Sequence, residues 1–345
     1  MTKKIIIVLA LLAFVASGIG FAVFADTKSA GQLAVLLPES QGVIVFDSER
    51  FLNQALPQVL SSNQPMLEKI NSKIDELKGK TGLDLRQFTE VAVGIKTKQV
   101  SAKKVDFETV ILARGTMDSN ALVAVAKLAS NGKYKTEKVG SRTIYIFTPK
   151  EVVDKNKPKN KDRDSFGDKM MDKMFKQFSK EIALTAYDST TIAIGSVLRV
   201  KETIGNTPRI SNEVLNLLNR KPTAIANVGM VLPSGLSQYV GLDNDELGTN
   251  LDAIRQIQGS LDVANNTTSL SIMAKTLQSS QAESLEEMLM GLQMVGKGLL
   301  GGMKGNDKQV YAKMVENMKI SREANQVMLD LDVPQSDLDV IIGKK

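Results

Sequence analysis

The side chains able to do chemistry in this chain of 345 residues are limited by two absences, histidine and cysteine. Without them there is no Ser-His-Asp or Cys-His nucleophile pair and no zinc site built on those ligands. A serine activated by a lysine base survives on paper. Ser101-Ala102-Lys103-Lys104 and Ser130-Asn131-Gly132-Lys133 both match S-x-x-K. With so many serines and lysines, about two such matches arise by chance. Neither starts an apolar helix that would desolvate the lysine and lower its pKa, so both read as solvated loop. Gly79-Lys80-Thr81 has the ending of a phosphate loop, but Asp75 stands where the leading glycine belongs. Gly79 therefore reads as the C-terminal glycine of a helix.

Some carboxylates have part of the spacing of metal ligands. Asp243, Asp245 and Gly248 fit positions 1, 3 and 6 of a calcium loop, yet Leu247 and Ile254 fall on two ligand positions. Asp162, Asp164 and Gly167 fail in the same way, with Phe166 and Lys173 there. Asp330 and Asp332 alternate with Leu329 and Leu331, the pattern of a strand's wet face. Paired carboxylates for glycoside cleavage stay open, because their separation is set in space. The chain has no tryptophan to stack on a sugar. Its fifteen methionines include Met170, Met171 and Met174, and Met288, Met290 and Met294. Thioethers bind Cu(I), but core filling and adaptable contact are their commoner uses. The expectation is no cofactor, no metal and a function that is more binding than catalysis.

The segment from Phe166 to Phe178 is the candidate for contact. Phe166, Met170, Met174 and Phe178 share one helical side, while Lys169 and Lys173 line the other. Such a helix suits an anionic membrane surface or a groove in an envelope partner. The competing reading is packing on the protein's own sheet.

The N-terminus sets the location. Lys3 and Lys4 precede an uncharged apolar run from Ile5 to Ala25. This reads as a signal peptide, with Val23-Phe24-Ala25 as cleavage site, or as a retained anchor long enough to span a bilayer. Either way the rest of the chain is directed outward, to the periplasm or cell surface. Removing residues 1–25 leaves 42 basic against 38 acidic residues, a net charge of +4. That is too small and too interspersed for nucleic acid. With no cysteine, the exported fold rests on its core alone.

These features need a scaffold, and the patterning gives an α+β one. Val43 to Phe46, Val91 to Ile95, Thr109 to Ala113, Thr143 to Phe147, Ile182 to Tyr187, Thr191 to Ile194 and Thr223 to Leu232 read as strands. Ile254 to Val263 and Ser269 to Ala274 read as a hairpin turning at Asn265-Asn266. Val327 to Val333 alternates as a half-buried strand. Asp47 or Ser48, Asp118 or Ser119, Ser211, and Ser279 or Ser280 stand where helices begin. The last of these helices should fray from Gly296. Residues 154–165 form a charged loop. Around Gly205 to Pro208 the pattern restarts. Ala113-Arg114 followed by Ser119 and Ala121 matches Ala274-Lys275 followed by Ser280 and Ala282 without a gap.

The expected organisation is a leader or anchor at 1–25, a first half at 26–207 with an insertion at 154–180, and a second half at 208–345. The halves should be alike, each a mainly antiparallel sheet with helices packed on one face. Leu36-Leu37-Pro38, Val43-Ile44-Val45-Phe46-Asp47, Leu52, Leu56-Pro57 and Thr81-Gly82-Leu83-Asp84-Leu85 together resemble uncharacterised bacterial exported proteins with two α+β halves. That resemblance implies an extracytoplasmic protein and carries no site residues. The functional expectation is a non-enzymatic binding or structural protein of the bacterial envelope. Its alternatives are a carrier of an apolar small molecule and a hydrolase using carboxylates or a Ser-Lys dyad.

Overall fold

The computed structural model describes residues 32–81, 84–101, 104–130, 132–148, 181–219, 221–233, 237, 246–302 and 305–342. Among them, twelve strands form one continuous sheet. In chain order these are β1 (Gly42–Asp47), β2 (Phe88–Ser101), β3 (Lys104–Gly115), β4 (Lys135–Val139), β5 (Arg142–Phe147) and β6 (Ile182–Ala186). They continue with β7 (Thr191–Gly195), β8 (Ala226–Val231), β9 (Ile254–Ala264), β10 (Thr267–Thr276), β11 (Lys319–Glu323) and β12 (Gln326–Pro334). The order across the sheet is β11-β12-β10-β9-β8-β1-β2-β3-β7-β6-β5-β4, and the ladders are antiparallel. The protein is α+β.

Local chemistry explains the strands. β1 is apolar on both sides and lies at the centre of the sheet between β2 and β8, with Val43 and Val45 buried on one face and Ile44 part-buried on the other. Asn265 and Asn266 both have positive φ, 51° and 56°, which gives β9 and β10 the tight turn that matches strand twist.

The helices are α1 (Ser48–Arg50 continuing through a π-turn at Phe51–Ala55 into Leu56–Val59), α2 (Gln64–Thr81), α3 (Ser119–Ala129), α4 (Val197–Ile204) and α5 (Asn212–Asn216). After them come α6 (Glu246–Ala253), α7 (Ser279–Gly301), α8 (Asn306–Asn317) and α9 (Gln335–Ile342). Caps fix their starts. The Asp47 carboxylate accepts from Arg50 N–H at 3.0 Å, and the Ser211 hydroxyl accepts from Val214 N–H at 3.3 Å. At α7 the cap is Gln278, one residue before the expected serines, and Gln281 Oε1 accepts from its N–H at 3.1 Å. The fraying expected from Gly296 does not occur. Gly296 is buried against Val315 of α8, so the lack of a side chain there permits close packing and α7 runs on to Gly301.

Helices cover the sheet face that carries Ile44 in both halves. There α3 packs on Ala113, Leu184 and Ile192, while α6 and α7 pack on Met230, Ile257, Ala274 and Val327. α1 meets Phe46 and Val263 at one end. In the first half the opposite face, which carries Val45, has helices as well. Leu33 and Leu37 of the opening turn, Val200 of α4, and Val214 with the following Leu218 beside α5 bury Val43, Val45, Ala92, Leu112 and Ala193. Arg199 of α4 is buried completely in this layer. It donates to Ser40 Oγ at 2.7 Å and to the Glu39 carbonyl at 2.8 Å, and it pairs with Glu202. These partners compensate the desolvation of its charge.

The sheet is mirrored about its centre. β1 and β8 run antiparallel side by side. Counting outward, β2, β3, β7 and β6 on one side stand opposite β9, β10, β12 and β11 on the other. β5 and β4 extend the first side alone.

Candidate binding surface

The register aligns one apolar row across the Ile44 face. It runs Ile320, Leu329, Ile272, Gly259, Val228, Ile44, Val93, Ile111, Ile194, Leu184, Tyr145. The two ends of the row lie under helices. Its middle is different. Ile272, Val228, Ile44, Val93 and Ile111 are only part-buried and belong to none of the four buried clusters. They form a part-buried apolar strip, or trough, of the sheet between the cluster under α3 on one side and that under α6 and α7 on the other, with α1 at one end. Gly259, itself buried, interrupts the row with no side chain. A Cβ there would meet Ser271 O at 3.5 Å, with Ile272 Cγ1 and Val228 Cβ at 4.0 Å, which is ordinary contact with strand neighbours. Complete burial of a Val or Ile side chain contributes about 1.5–3 kcal/mol. Part of that remains available to whatever covers this row.

The Val45 face of the second half is polar. The row through Val45 continues as Asn227, Ser260, Ser271, Asp330 and Lys319. Ser271 donates to Asp330 at 2.5 Å and Ser269 donates to Asp332 at 2.6 Å, so these aspartates pair with neighbouring strand hydroxyls. Asn227 Nδ2 and Ser260 Oγ are buried without a hydrogen-bond partner. Beside this row lies an open depression of about 360 Å³ lined by Glu213, Val231, Arg255, Gln256, Lys275, Thr276, Leu277 and Asn325. Gln256 donates to Glu213 at 2.7 Å across it.

The carboxylates with shifted pKa values serve the fold. Burial pushes Asp47 above the ordinary carboxylate range. The N–H and charge of Arg50 oppose that shift, and the charge of Asp262 adds to it. Asp262 is itself paired with Arg50 at 2.7 Å. For Asp84, burial alone would raise the pKa, but hydrogen bonds from Lys78 and Arg86 N–H, with their charges, outweigh it and hold the carboxyl low. Asp188 is also held low. Burial is overcome there by hydrogen bonds from Thr190 and Thr191 and by the charge of Arg114. Asp47 caps α1, Asp84 caps the turn Leu85–Gln87, and Asp188 shapes the β6–β7 turn. Among the described residues no group of three or more carboxylates converges.

Several residues singled out from the sequence lie outside the described residues: Phe166, Met170, Met174, Phe178, Lys169 and Lys173, with Asp162, Asp164, Asp243 and Asp245. Ser130 closes α3, its hydroxyl donating to the Lys127 carbonyl at 2.8 Å, and Lys133 is exposed in the turn beyond. Gly79 lies within the last turns of α2. The trough residues were legible as strand residues but not as a surface, because only the register puts Ile44, Val93, Ile111 and Val228 side by side.

No family model matches this chain and no curated protein matches it. Among solved structures it is similar to three crystal forms of TP0453. Form III is 9% identical with a TM-score of 0.42, covering 93% of this chain and 100% of that one. Form I is 11% identical and form IV 10%, each with a TM-score of 0.42, covering 92% of this chain and 98% of theirs. Scores of that size carry nothing about function.

Proposed function

We propose that this is an exported, non-catalytic binding protein of the bacterial envelope whose ligand is apolar. The observation behind this reading is the part-buried middle of the apolar row, Ile272, Val228, Ile44, Val93 and Ile111, at the junction of the two halves. Junctions between structural units are favoured places for ligands, and concave apolar walls are the usual lining. The absence of histidine and cysteine, and the capping roles of Asp47, Asp84 and Asp188, support binding over catalysis. The mirrored strand order supports an internal repeat, with β8 to β12 as the second copy of the plan begun by β1. Residues 1–25 are the exporting segment, so fractionation should find the protein outside the cytoplasm. A full-length cytoplasmic pool would refute that part.

The test of the ligand class is titration with an environment-sensitive apolar fluorophore and a long-chain fatty acid as competitor. Saturable binding, weakened about tenfold or more by Val93→Thr with the fold retained, is expected. A hydroxyl placed on the row must be desolvated whenever the trough is filled. Equal affinity of parent and variant would sink the proposal.

A further inference from the structure

A slip in the register between β9 and β10 gathers two positive side chains in the open depression beside the polar row. The ladders set Val231, Gln256 and Lys275 side by side on the Val45 face. Lys275 stands opposite Gln256, but Thr276 stands opposite Ile254, so Arg255 has no opposite residue on β10. Such a bulge releases a side chain from strict alternation. Alternation would send Arg255 and Gln256 to opposite faces, yet both line the depression together with Lys275. Arg255 uses Nη1 to hold the entry into β9, donating to the carbonyls of Asp252 at 2.5 Å and Ile254 at 3.0 Å. Its Nε and Nη2, and the Lys275 ammonium, have no partner among the described residues. Glu213 of α5 is the one carboxylate lining the depression, and Gln256 Nε2 donates to it at 2.7 Å. That bond commits the amide nitrogen and leaves Gln256 Oε1 as an acceptor. Two cations against one carboxylate leave a single positive charge in excess. Val231 and Leu277, the latter 62% exposed, supply the apolar lining.

We propose that this depression holds the C-terminal carboxylate of a peptide whose last residue is aliphatic. The unpartnered Nε and Nη2 edge of Arg255 is the fork of parallel donors that matches a carboxylate, and Lys275 adds a point charge. The single excess charge suits a carboxylate better than a phosphate dianion, which Glu213 would repel more strongly. Gln256 Oε1 is an acceptor for the N–H of the last peptide unit, a donor that a fatty acid lacks. Leu277 and Val231 offer apolar surface to the last side chain. A volume of about 360 Å³ lies at the small end of ligand pockets, so it suits one residue rather than a long acyl chain. A chain end is recognised in this mode by its charge and its last side chain together. The site lies on the Val45 face, so it is separate from the trough on the Ile44 face and stands or falls without it.

The test uses the full-length protein in its envelope fraction and the peptide acetyl-alanyl-alanyl-photoleucine with a free carboxylate. Illumination should attach the peptide to the strand ends that carry Val231, Arg255 and Lys275, as mapped by mass spectrometry. The same peptide ending in an amide should label these positions about fivefold less or weaker still, because the charge that the two cations receive is gone. Lys275→Gln should lower labelling by the acid by a similar factor, and Lys275→Arg should keep most of it. Neither change removes a contact within the protein, so both variants should melt with the parent. Equal labelling by acid and amide would overturn the proposal. So would labels that map to the Ile44 face, or labelling that Lys275→Gln leaves unchanged. Inorganic phosphate or a long-chain fatty acid that displaces the probe as well as acetyl-alanyl-alanyl-leucine does, at equal concentration, would show an unselective anion site and overturn it too.

Discussion

At the scale of single residues, the charged groups with the most decided surroundings hold the chain in place. Asp84 is the clearest. It is buried, and Lys78 Nζ lies 2.9 Å from its carboxylate, linking α2 to the turn before β2. Its pKa in the fold is lower than in an unfolded chain, so the ionised form stabilises the protein above the ordinary carboxylate value of about 3.9. That stabilisation is lost as pH falls through the lowered value. Asp84→Asn keeps a capping side chain but removes the charge. Because Lys78 is more than half exposed, the expected cost at neutral pH is modest, about 0.5–1 kcal/mol. Melting temperatures of parent and variant should differ at pH 7 and converge once the pH has fallen below the lowered Asp84 value. A difference of the same size in both ranges would mean the ion pair is not its source. Asp47 acts with the opposite sign. Burial makes its folded form hold a proton more tightly, so its ionisation costs stability as pH rises through the interval between the ordinary and raised values.

At the scale of elements, the turns show what the sequence carries and what it hides. Asn265-Asn266 announces the β9–β10 hairpin because asparagine tolerates positive φ. The β11–β12 turn sends no such signal. Its first residue, Ala324, has φ of 49°, a conformation that favours glycine. Ala324→Gly should relieve this. After the added flexibility of the unfolded chain is discounted, a gain of about 0.5 kcal/mol is expected, read as a higher denaturant midpoint with an unchanged slope. A lower midpoint would show that the alanine makes a compensating contact. Both edge strands escape the sequence for a related reason. β4, Lys-Thr-Glu-Lys-Val, and β11, Lys-Ile-Ser-Arg-Glu, are mostly exposed and charged, so they lack the apolar alternation that betrays a strand. Their charge makes sense in place, because a sheet edge must repel further strands. By contrast β1, β2, β3, β9, β10 and β12 were legible because each buries at least one face. The second helical layer on the Val45 face of the first half was not. Val197–Ile204 offers only eight residues, and its most buried side chain is the charged Arg199.

At the scale of the whole molecule, one sheet spans both halves, and this places the trough. Each half alone would end in an exposed apolar strand, β1 or β8, and pairing them antiparallel hides both edges at once. The pairing also sets Ile44 beside Val228, so the row crosses from one half to the other unbroken except at Gly259. That glycine gives the sharpest test of whether the row is a working surface or merely a thin part of the core. In a strand interior glycine is unfavourable, since it pays more backbone entropy and packs no side chain. Here a Cβ has room, at 3.5 Å or more from every neighbour. Gly259→Ala should therefore raise stability, by about 0.5–1 kcal/mol. If the ligand sits on the row, the new methyl group raises the floor between Val228 and Ile272 on which the ligand would lie. Affinity for the apolar fluorophore should then fall several-fold while the melting temperature rises. A thin part of the core predicts the stability gain without the loss of binding. Parent-like affinity in a stabilised Gly259→Ala protein would remove Gly259 from the binding surface.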